Sequence, residues 1–238
     1  MKVLNFFKGH WQLFAITAAI FLLWDYPVMY PLKVFVVFLH EASHALTTLL
    51  TGGEVLELSL VPRQGGHVLS RGGNLFLIVS SGYLGSLLLG ASFLIFALRT
   101  NADRILVALL GLSMFALTAF YIRDSFPVMF CLGGGVILLF TARFLSRQIN
   151  DLLLRIIGLT SMIYVPYDIF SDTLARSELR SDARILSEHF GGTTMIWGSL
   201  WLVISLIFIL FIIKLSLKES SNIVFGLKNL PSKKGKSR

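Results

Sequence analysis

The sequence has little charge for its length. Only 14% of its 238 residues are Asp, Glu, Lys or Arg, whereas about 25% is usual in a soluble domain. A soluble domain of this size needs charged side chains over its surface, and here the apolar residues, 55% of the chain, come in long runs instead. The composition excludes a soluble globular enzyme and a disordered chain. It indicates a protein that has the lipid bilayer as its solvent.

Cysteine is almost absent, since Cys131 is the only one. A single cysteine excludes an internal disulfide and with it a disulfide-stapled secreted module. It also excludes zinc frameworks built on cysteine, so any metal must be bound by histidine and carboxylate. Cys131 lies within an apolar run, where a thiol is typically a small core residue, and we assign it no role.

The apolar residues form seven segments, which predict an all-α polytopic membrane protein of about six to seven transmembrane helices. The first lacks a small-residue cleavage site, so we interpret it as a membrane helix rather than a signal peptide. Residues 1–217 are predicted to be one transmembrane domain, followed by a basic juxtamembrane tail at 218–238. The segments run from about Trp11 to Trp24, Leu32 to Thr51, Asn74 to Leu98, Ile105 to Ile122, Phe126 to Ala142, Leu152 to Phe170 and Met195 to Leu217.

A short insert follows the second apolar segment. The stretch from Glu54 to Val61 alternates imperfectly, Pro62 to Gly66 has turn composition, and His67 to Ser70 resumes an extended pattern. We expect a strand-like hairpin. Non-helical backbone near a membrane is tolerated only where protein or a water-filled cavity satisfies it, so the insert indicates a cavity beside the second helix.

The formal charge of +8 is concentrated at the end of the chain, where Lys and Arg outnumber a single acid after residue 213. No aromatic residues interleave with these cations, so we expect contact with anionic lipid headgroups and no nucleic-acid partner. The protein is expected to be a multi-pass protein of the plasma (inner) membrane. A basic tail favours a cytoplasmic C-terminus, and Lys2 with Lys8 favours a cytoplasmic N-terminus. Seven crossings cannot satisfy both, so either one segment does not cross or one end departs from the rule.

The second segment contains the sequence His40-Glu41-Ala42-Ser43-His44. Positions i and i+4 of a helix share one face, so two imidazoles at this spacing can bind one zinc ion. Glu41 between them is placed to accept a proton from a metal-bound water and to deliver it to a leaving amine. Histidine and glutamate within a membrane span are expensive, which favours a functional role over chance.

A catalytic zinc typically has three protein ligands, and the sequence leaves several candidates for the third. Asp168 is the only acid in the apolar part of the sixth segment, and Asp172 lies one turn further on the same face. Either aspartate can instead cap a helix or face water. The remaining candidates are in the insert or near segment ends: Glu54, Glu57, His67, His10 and His189.

These residues and their surroundings resemble the site-2-protease family of intramembrane zinc metallopeptidases, in particular its compact B-type branch. The resemblance extends from residue 36 to about residue 205. The motifs that carry it are His40 to His44, Gly52-Gly53, Gly65-Gly66, Ser70-Arg71-Gly72-Gly73-Asn74, Ser81-Gly82-Tyr83-Leu84-Gly85-Ser86, Gly90, Tyr167-Asp168-Ile169 with Asp172, Ser181-Asp182-Ala183, and Trp197-Gly198-x-x-Trp201.

The resemblance implies Zn²⁺ bound by His40 and His44, with Glu41 as the general base. The family's third ligand is an aspartate on a later membrane helix, and it maps best onto Asp168. Better-known members have Asp-Gly at this point, whereas Ile169 follows Asp168 here, so Asp172 stays an alternative. The implied substrate is a membrane protein or peptide, selected by the membrane core itself.

Other conspicuous residues receive no catalytic role. Tyr83, Trp197 and Trp201 are expected to be packing or interfacial aromatics, and Ser181-Asp182-Ala183 is expected to be a helix N-cap in the polar loop. The glycine pairs of the insert permit an ordinary tight loop. They also permit close approach of a substrate strand that is added to the edge of the insert.

Three functions fit the sequence. The first is a membrane-embedded zinc endopeptidase that hydrolyses a peptide bond within or beside the bilayer. The second is a metal or ion transporter that uses the same histidines and acids, although no inverted repeat supports it. The third is a catalytically silent membrane scaffold, against which the intact Glu41 argues. The sequence leaves the oligomeric state open.

Overall fold

The computed structural model describes residues 2–176, 178 and 180–223. It confirms a helical polytopic membrane fold with one small two-stranded insert. Six of the described helices, all except α2 and α7, are long and apolar enough to cross a membrane. The elements are α1 (Lys2–Leu23), α2 (Tyr30–Leu50), β1 (Glu54–Val61), β2 (Gly65–Arg71), α3 (Leu75–Arg99), α4 (Asp103–Tyr121), α5 (Ser125–Phe144), α6 (Arg147–Ile169), α7 (Asp182–Phe190) and α8 (Thr194–Ser216).

The predicted segments agree with these helices to within a few residues, except that α1 begins nine residues earlier and α6 five residues earlier than predicted. At two ends where a predicted segment and a helix agree closely, a local sequence signal explains the agreement. Gly52 adopts φ +80° just after α2, a conformation that favours glycine. The Asn74 side chain caps α3 by accepting a hydrogen bond from the backbone N–H of Leu77. Helix α7 is not one of the seven predicted segments; only its N-terminal cap, in Ser181-Asp182-Ala183, was predicted.

The insert is the predicted hairpin. Strands β1 and β2 pair antiparallel from Glu54 opposite Arg71 to Val61 opposite Gly65, with an irregularity between Val55 and Glu57. The hairpin lies against α2, and Ser59 donates a hydrogen bond to Asp124 in the turn between α4 and α5. It is therefore a part of the helical domain rather than a projecting loop.

One end of the bundle, here called the terminal face, contains the start of α1 and the end of α8. The backbone N–H of Ser221 donates to the Gly9 carbonyl at 2.9 Å, and Asn222 donates to the Lys8 carbonyl at 2.7 Å. Arg99 at the end of α3 pairs with Glu219 at 2.8 Å. The starts of α4 and α6 lie here as well, joined by the 2.8 Å ion pair of Asp103 with Arg147, and the end of α5 lies beside them, because Arg104 donates to the Leu145 carbonyl at 2.9 Å.

The opposite end, here called the site face, contains the ends of α1, α4 and α6 and the starts of α3, α5 and α8. Trp24 follows α1 and packs against Tyr167 near the end of α6, with ring centroids 5.9 Å apart. A π-helical stretch, Phe170–Ala175, extends α6 after Pro166. Gly198 in the first turns of α8 contacts Thr173 of this stretch. Helix α7 and the hairpin also lie at this end.

Candidate metal centre

Helix α2 places His40, Glu41 and His44 where the sequence predicts them. The i, i+4 spacing directs both imidazoles to one side, and their Nε2 atoms lie 3.0 Å apart. Glu41 and His44 are buried, and His40 is partly buried. The two rings are arranged edge to face, with centroids 4.7 Å apart.

The third member of the cluster is Asp182, which sequence reasoning missed as a site residue. Its Oδ2 atom lies 3.0 Å from Nε2 of His40 and 3.2 Å from Nε2 of His44. Asp182 is the first residue of α7, and Ser181 before it is the helix N-cap, accepting a hydrogen bond from the backbone N–H of Arg184. The N-cap prediction for Ser181 is therefore confirmed. The sequence signal that could have indicated Asp182 is the motif Ser181-Asp182-Ala183, which carries part of the family resemblance.

Two features of α3 determine where the imidazoles of His40 and His44 lie. The Ile78 carbonyl accepts a hydrogen bond from Nδ1 of His44 at 2.7 Å, so in the neutral ring Nε2 keeps its lone pair toward the cluster. Gly82 provides the space for both rings: a Cβ atom there would lie 2.5 Å from Nε2 of His44 and would also collide with His40. Helix α3 therefore orients one imidazole and makes room for two.

Glu41 faces a cavity of about 730 Å³ that also contains the two histidines and Asp182. Strand β2 forms another wall of this cavity, and Gly66 lies directly against the glutamate. A Cβ atom at Gly66 would lie 2.7 Å from Oε1 of Glu41, so only glycine allows this approach. The cavity that the insert predicted is present beside α2, and its wall includes the hairpin.

The electrostatics of Asp182 suit an ionised ligand. Burial by itself would raise the pKa of this carboxyl, but His44 and His40, through their charge and hydrogen bonds, hold its pKa well below the ordinary value. Beside protonated imidazoles Asp182 is therefore a carboxylate at neutral pH, and a metal ion that binds here takes the place of the imidazole protons.

The geometry of the three donor atoms fits a zinc ion. The three pairwise distances are 3.0, 3.0 and 3.2 Å. Tetrahedral zinc with bonds of about 2.0–2.1 Å has ligand atoms about 3.3 Å apart. Two imidazole nitrogens and one carboxylate oxygen are also the donor set typical of catalytic zinc. Among the described residues, His40, His44 and Asp182 are the one such group whose ligand atoms all lie within 4.8 Å of one another.

Asp168 and Asp172, the aspartates favoured by sequence, line the same cavity but are not members of this cluster. Asp172 accepts a hydrogen bond from the Tyr83 hydroxyl at 3.2 Å and pairs with Arg176 at 2.5 Å. The assignment of Asp168 as a metal ligand stays a prediction, and Asp182 now stands beside it as a candidate.

The remaining third-ligand candidates are not members of this cluster either, although His67 lines the same cavity. His10 is at the terminal face, with Nδ1 2.9 Å from the Ser221 hydroxyl. Glu54 pairs with Arg71 at 3.9 Å, and Glu57 with His67 at 3.9 Å across the hairpin, all exposed. The fifth, His189, has Nδ1 2.9 Å from the Ile185 carbonyl of its own helix.

Tyr83 packs closer to the centre than expected of an interfacial aromatic. Its ring contacts His40 edge to face with centroids 4.7 Å apart, and it is 5.5 Å from the ring of Trp201. Tyr83 and Trp201 are buried, which agrees with their predicted packing role. Trp197 donates from Nε1 to the Gly191 carbonyl at 2.9 Å and so closes the turn before α8.

A family model described as Peptidase M50B-like matches residues 13–212, which is most of the chain. The protein belongs to this family of membrane metallopeptidases. Comparison with curated proteins and with solved structures gave no significant match. The match contains the His40–His44 motif, the hairpin, Asp182 and all or part of each of the six apolar helices, and it confirms the resemblance inferred from the motifs.

Proposed function

We propose that the protein is a zinc-dependent endopeptidase that hydrolyses peptide bonds within or next to the bilayer. The observation that supports this most directly is the convergence of two imidazoles and a carboxylate beside the buried Glu41. A transporter needs a path through the membrane for its ion, whereas these groups lie in a cavity between α2, the hairpin and α7 at one end of the bundle.

In this proposal His40, His44 and Asp182 hold the zinc ion. When bound, zinc supplies a Lewis acid that polarises the scissile carbonyl and lowers the pKa of water. Nδ1 of His44 stays bonded to Ile78, and this bond keeps the ring in one orientation. Asp168 and Asp172 line the wall of the same cavity, where they present carboxyl groups toward a bound substrate.

Glu41 is the proposed general base. It is one residue from His40 on the same helix and lines the cavity that a substrate must enter. Its carboxylate accepts a proton from the attacking water and passes it to the amine that leaves. Burial against Gly66 fixes the glutamate side chain, so that it does not have to be ordered when the substrate arrives.

The hairpin is the proposed substrate-binding edge. The described sheet has two strands, so β2 pairs with β1 on one side only, and its residues from Gly65 to Ser70 line the cavity. An unpaired strand edge binds extended peptide through backbone hydrogen bonds. A membrane segment that unwinds at its end can add to β2 in this way and place its peptide bond beside Glu41.

The experiment that tests this function compares Glu41→Gln with Glu54→Gln, a matched change at an exposed glutamate of β1. Purified variants are assayed for zinc by elemental analysis and for hydrolysis of a pool of single-span membrane peptides by mass spectrometry. Glu41→Gln should retain zinc and lose about 10²–10⁴-fold in turnover, because the base is gone and the ligands remain. Glu54→Gln should match the unmodified protein in both measurements. Full turnover by a zinc-loaded Glu41→Gln protein would overturn the assigned role.

A further inference from the structure

A groove on the outside of the bundle, here called the lateral groove, lies between α1, α6 and α8. Its walls include Leu13 and Phe21 of α1, Met162 of α6, and Ile209 and Ile213 of α8. Its volume is about 520 Å³. It shares no lining residue with the metal cavity, so it is a separate feature of the fold.

The walls of the lateral groove are suited to hydrocarbon. The hydroxyls of Thr17 and Ser216 donate to the carbonyl four residues earlier in their own helix, at 2.9 and 2.8 Å. They therefore need no partner from the groove. Trp24 and Tyr167, the other polar side chains of the wall, lie beside each other at one end. Phe21 is 60% exposed, so the groove opens toward the surrounding lipid.

The size of the lateral groove matches one acyl chain. Its lining residues extend from Leu206 to Leu217 along α8, which is about 16 Å at 1.5 Å per residue. One leaflet of the hydrocarbon core is about 15 Å thick. A membrane-spanning helix, about 30 Å long and about 10–12 Å wide, has a volume on the order of 2,000 Å³, several times that of the groove. The groove therefore fits a single flexible chain rather than a second helix.

The end of the lateral groove at the terminal face is basic. Ile213 and Leu217 of its wall are each followed by an exposed lysine, Lys214 and Lys218. The only acid after residue 213 is Glu219, which pairs with an arginine at the end of α3 at 2.8 Å. Among the described residues neither lysine forms an ion pair. Two ammonium groups are thus available where the groove reaches the end of α8.

We propose that the lateral groove binds one anionic phospholipid, with an acyl chain between α1 and α8 and the headgroup phosphate against Lys214 and Lys218. Basic residues beside a gap between membrane helices bind anionic headgroups, and lysine at a helix end keeps its ammonium in the headgroup region while its stem lies along apolar surface. The apolar walls accept the chain and the two lysines select the charge of the headgroup.

The test measures lipid binding to the purified full-length protein in detergent by native mass spectrometry. The probes are phosphatidylglycerol, which is anionic, and phosphatidylcholine with identical chains, which has no net charge. Lys214→Gln with Lys218→Gln removes the headgroup contacts, and its control, Lys228→Gln with Lys233→Gln, removes the same charge outside the described residues. Ile209→Trp fills the groove, and its control is Ile207→Trp, at an exposed position of α8 that does not line it.

We expect one tightly bound phosphatidylglycerol per chain. The Lys214 and Lys218 variant should bind this lipid about 30-fold more weakly, about fivefold for each lysine, and should bind phosphatidylcholine as the unmodified protein does. Ile209→Trp should prevent the binding of both lipids, because the indole occupies the space of the chain. Both control variants should match the unmodified protein.

Equal affinity of the unmodified protein for the two lipids would overturn the headgroup assignment. An equal loss in the Lys228 and Lys233 variant would assign the preference to general attraction by basic residues and would overturn the site. If Ile209→Trp retains its lipid but binds single-span membrane peptides more weakly, the groove holds a helix and the proposal is wrong. Lys214 and Lys218 are exposed, so their variant decides the matter even if the tryptophan variant does not fold. Lipid binding is measured without zinc or hydrolysis, so its outcome is independent of the proposed peptidase.

Discussion

The helix pairs α2–α3 and α4–α5 both pack on glycine but use the space that glycine leaves in different ways. Between α4 and α5, Gly111 and Gly135 bring the two backbones together: a Cβ atom at Gly135 would lie 3.1 Å from the Gly111 carbonyl oxygen and 3.0 Å from the Phe115 ring. Between α2 and α3, Gly82 faces the side chains of His40 and His44 instead, and Gly85 faces Ser43. In the first pair glycine permits close packing of helices; in the second it makes room for side chains, among them the histidines of the candidate metal centre.

This comparison separates two consequences of the same residue type. A methyl group between α4 and α5 displaces an apolar packing surface, so we expect it to lower the free energy of unfolding. A methyl group at Gly82 displaces the imidazoles of the two candidate ligands, so under the proposed function we expect it to weaken metal binding. Glycines in helices of similar composition therefore have different roles. Substituting each glycine measures whether stability or metal binding depends on it.

The largest expected effect comes from removing a donor atom from the α2–α3 site. Asp182→Ala should abolish both zinc binding and hydrolysis, because it leaves two of the three ligands that a catalytic zinc needs. Asp168→Ala, at an aspartate of the same cavity, should retain stoichiometric zinc. Elemental analysis of the two purified variants decides between the candidates. Loss of zinc in Asp168→Ala with retention in Asp182→Ala would restore the ligand chosen from sequence.

The next largest effect is expected for alanine at the two glycines compared above. Gly82→Ala should lower zinc affinity by about tenfold or more, since the imidazoles must move apart. Gly135→Ala should leave zinc affinity unchanged and lower the free energy of unfolding by about 1–3 kcal/mol. Zinc titration and thermal denaturation in detergent measure the two quantities. An equal loss of zinc affinity in both variants would show that Gly82 has no specific role in positioning the two imidazoles.

The fold of this protein could be predicted from its sequence because the signals are local. Apolar runs define the long helices, Gly52 ends α2, and the turn from Pro62 to Gly66 joins the two strands. The i, i+4 spacing of His40 and His44 predicted that their imidazoles lie together, because both are on one helix. The conflict between seven apolar segments and two basic ends was visible in the sequence as well.

Asp182 was not predicted as part of the candidate site, because its local pattern indicates only a helix N-cap, although Ser181-Asp182-Ala183 is one of the motifs that carry the resemblance to the family. It lies 138 residues or more beyond the histidines, at the start of a nine-residue helix in a polar stretch. An aspartate after a serine at such a position normally serves the helix terminus. The sequence criterion of an acid within an apolar run favoured Asp168, which reaches the same cavity from α6. Only the packing of α7 against α3 and α8 brings Asp182 to α2.

A smaller effect is expected for the cap that holds Asp182 in place. Ser181→Ala removes the N-cap of α7 and should cost about 1 kcal/mol locally, which corresponds to about a fivefold loss of zinc affinity. Thr193→Ala removes the equivalent cap of α8, whose side chain accepts from the backbone N–H of Ile196, and should leave zinc affinity unchanged. Competition with a chelator of known affinity measures both. A fivefold loss in Thr193→Ala as well would mean that general loosening of the site face, rather than the position of Asp182, controls the metal.

The smallest expected effect concerns Tyr83, which supports His40 from α3 by its ring and reaches Asp172 by its hydroxyl. Tyr83→Phe keeps the ring and should change zinc affinity less than about twofold, while the lost hydrogen bond lowers stability by about 0.5–1.5 kcal/mol. Tyr83→Leu removes the ring as well and should weaken zinc binding, because His40 loses the edge-to-face contact that limits its rotation. Chelator competition and thermal denaturation of Tyr83→Phe and Tyr83→Leu show whether the ring or the hydroxyl of Tyr83 holds His40 in place. Strong zinc loss in Tyr83→Phe would mean that the link through Asp172 orients the metal site, and the aspartates of α6 and its π-helical extension would then act on the centre without binding the ion.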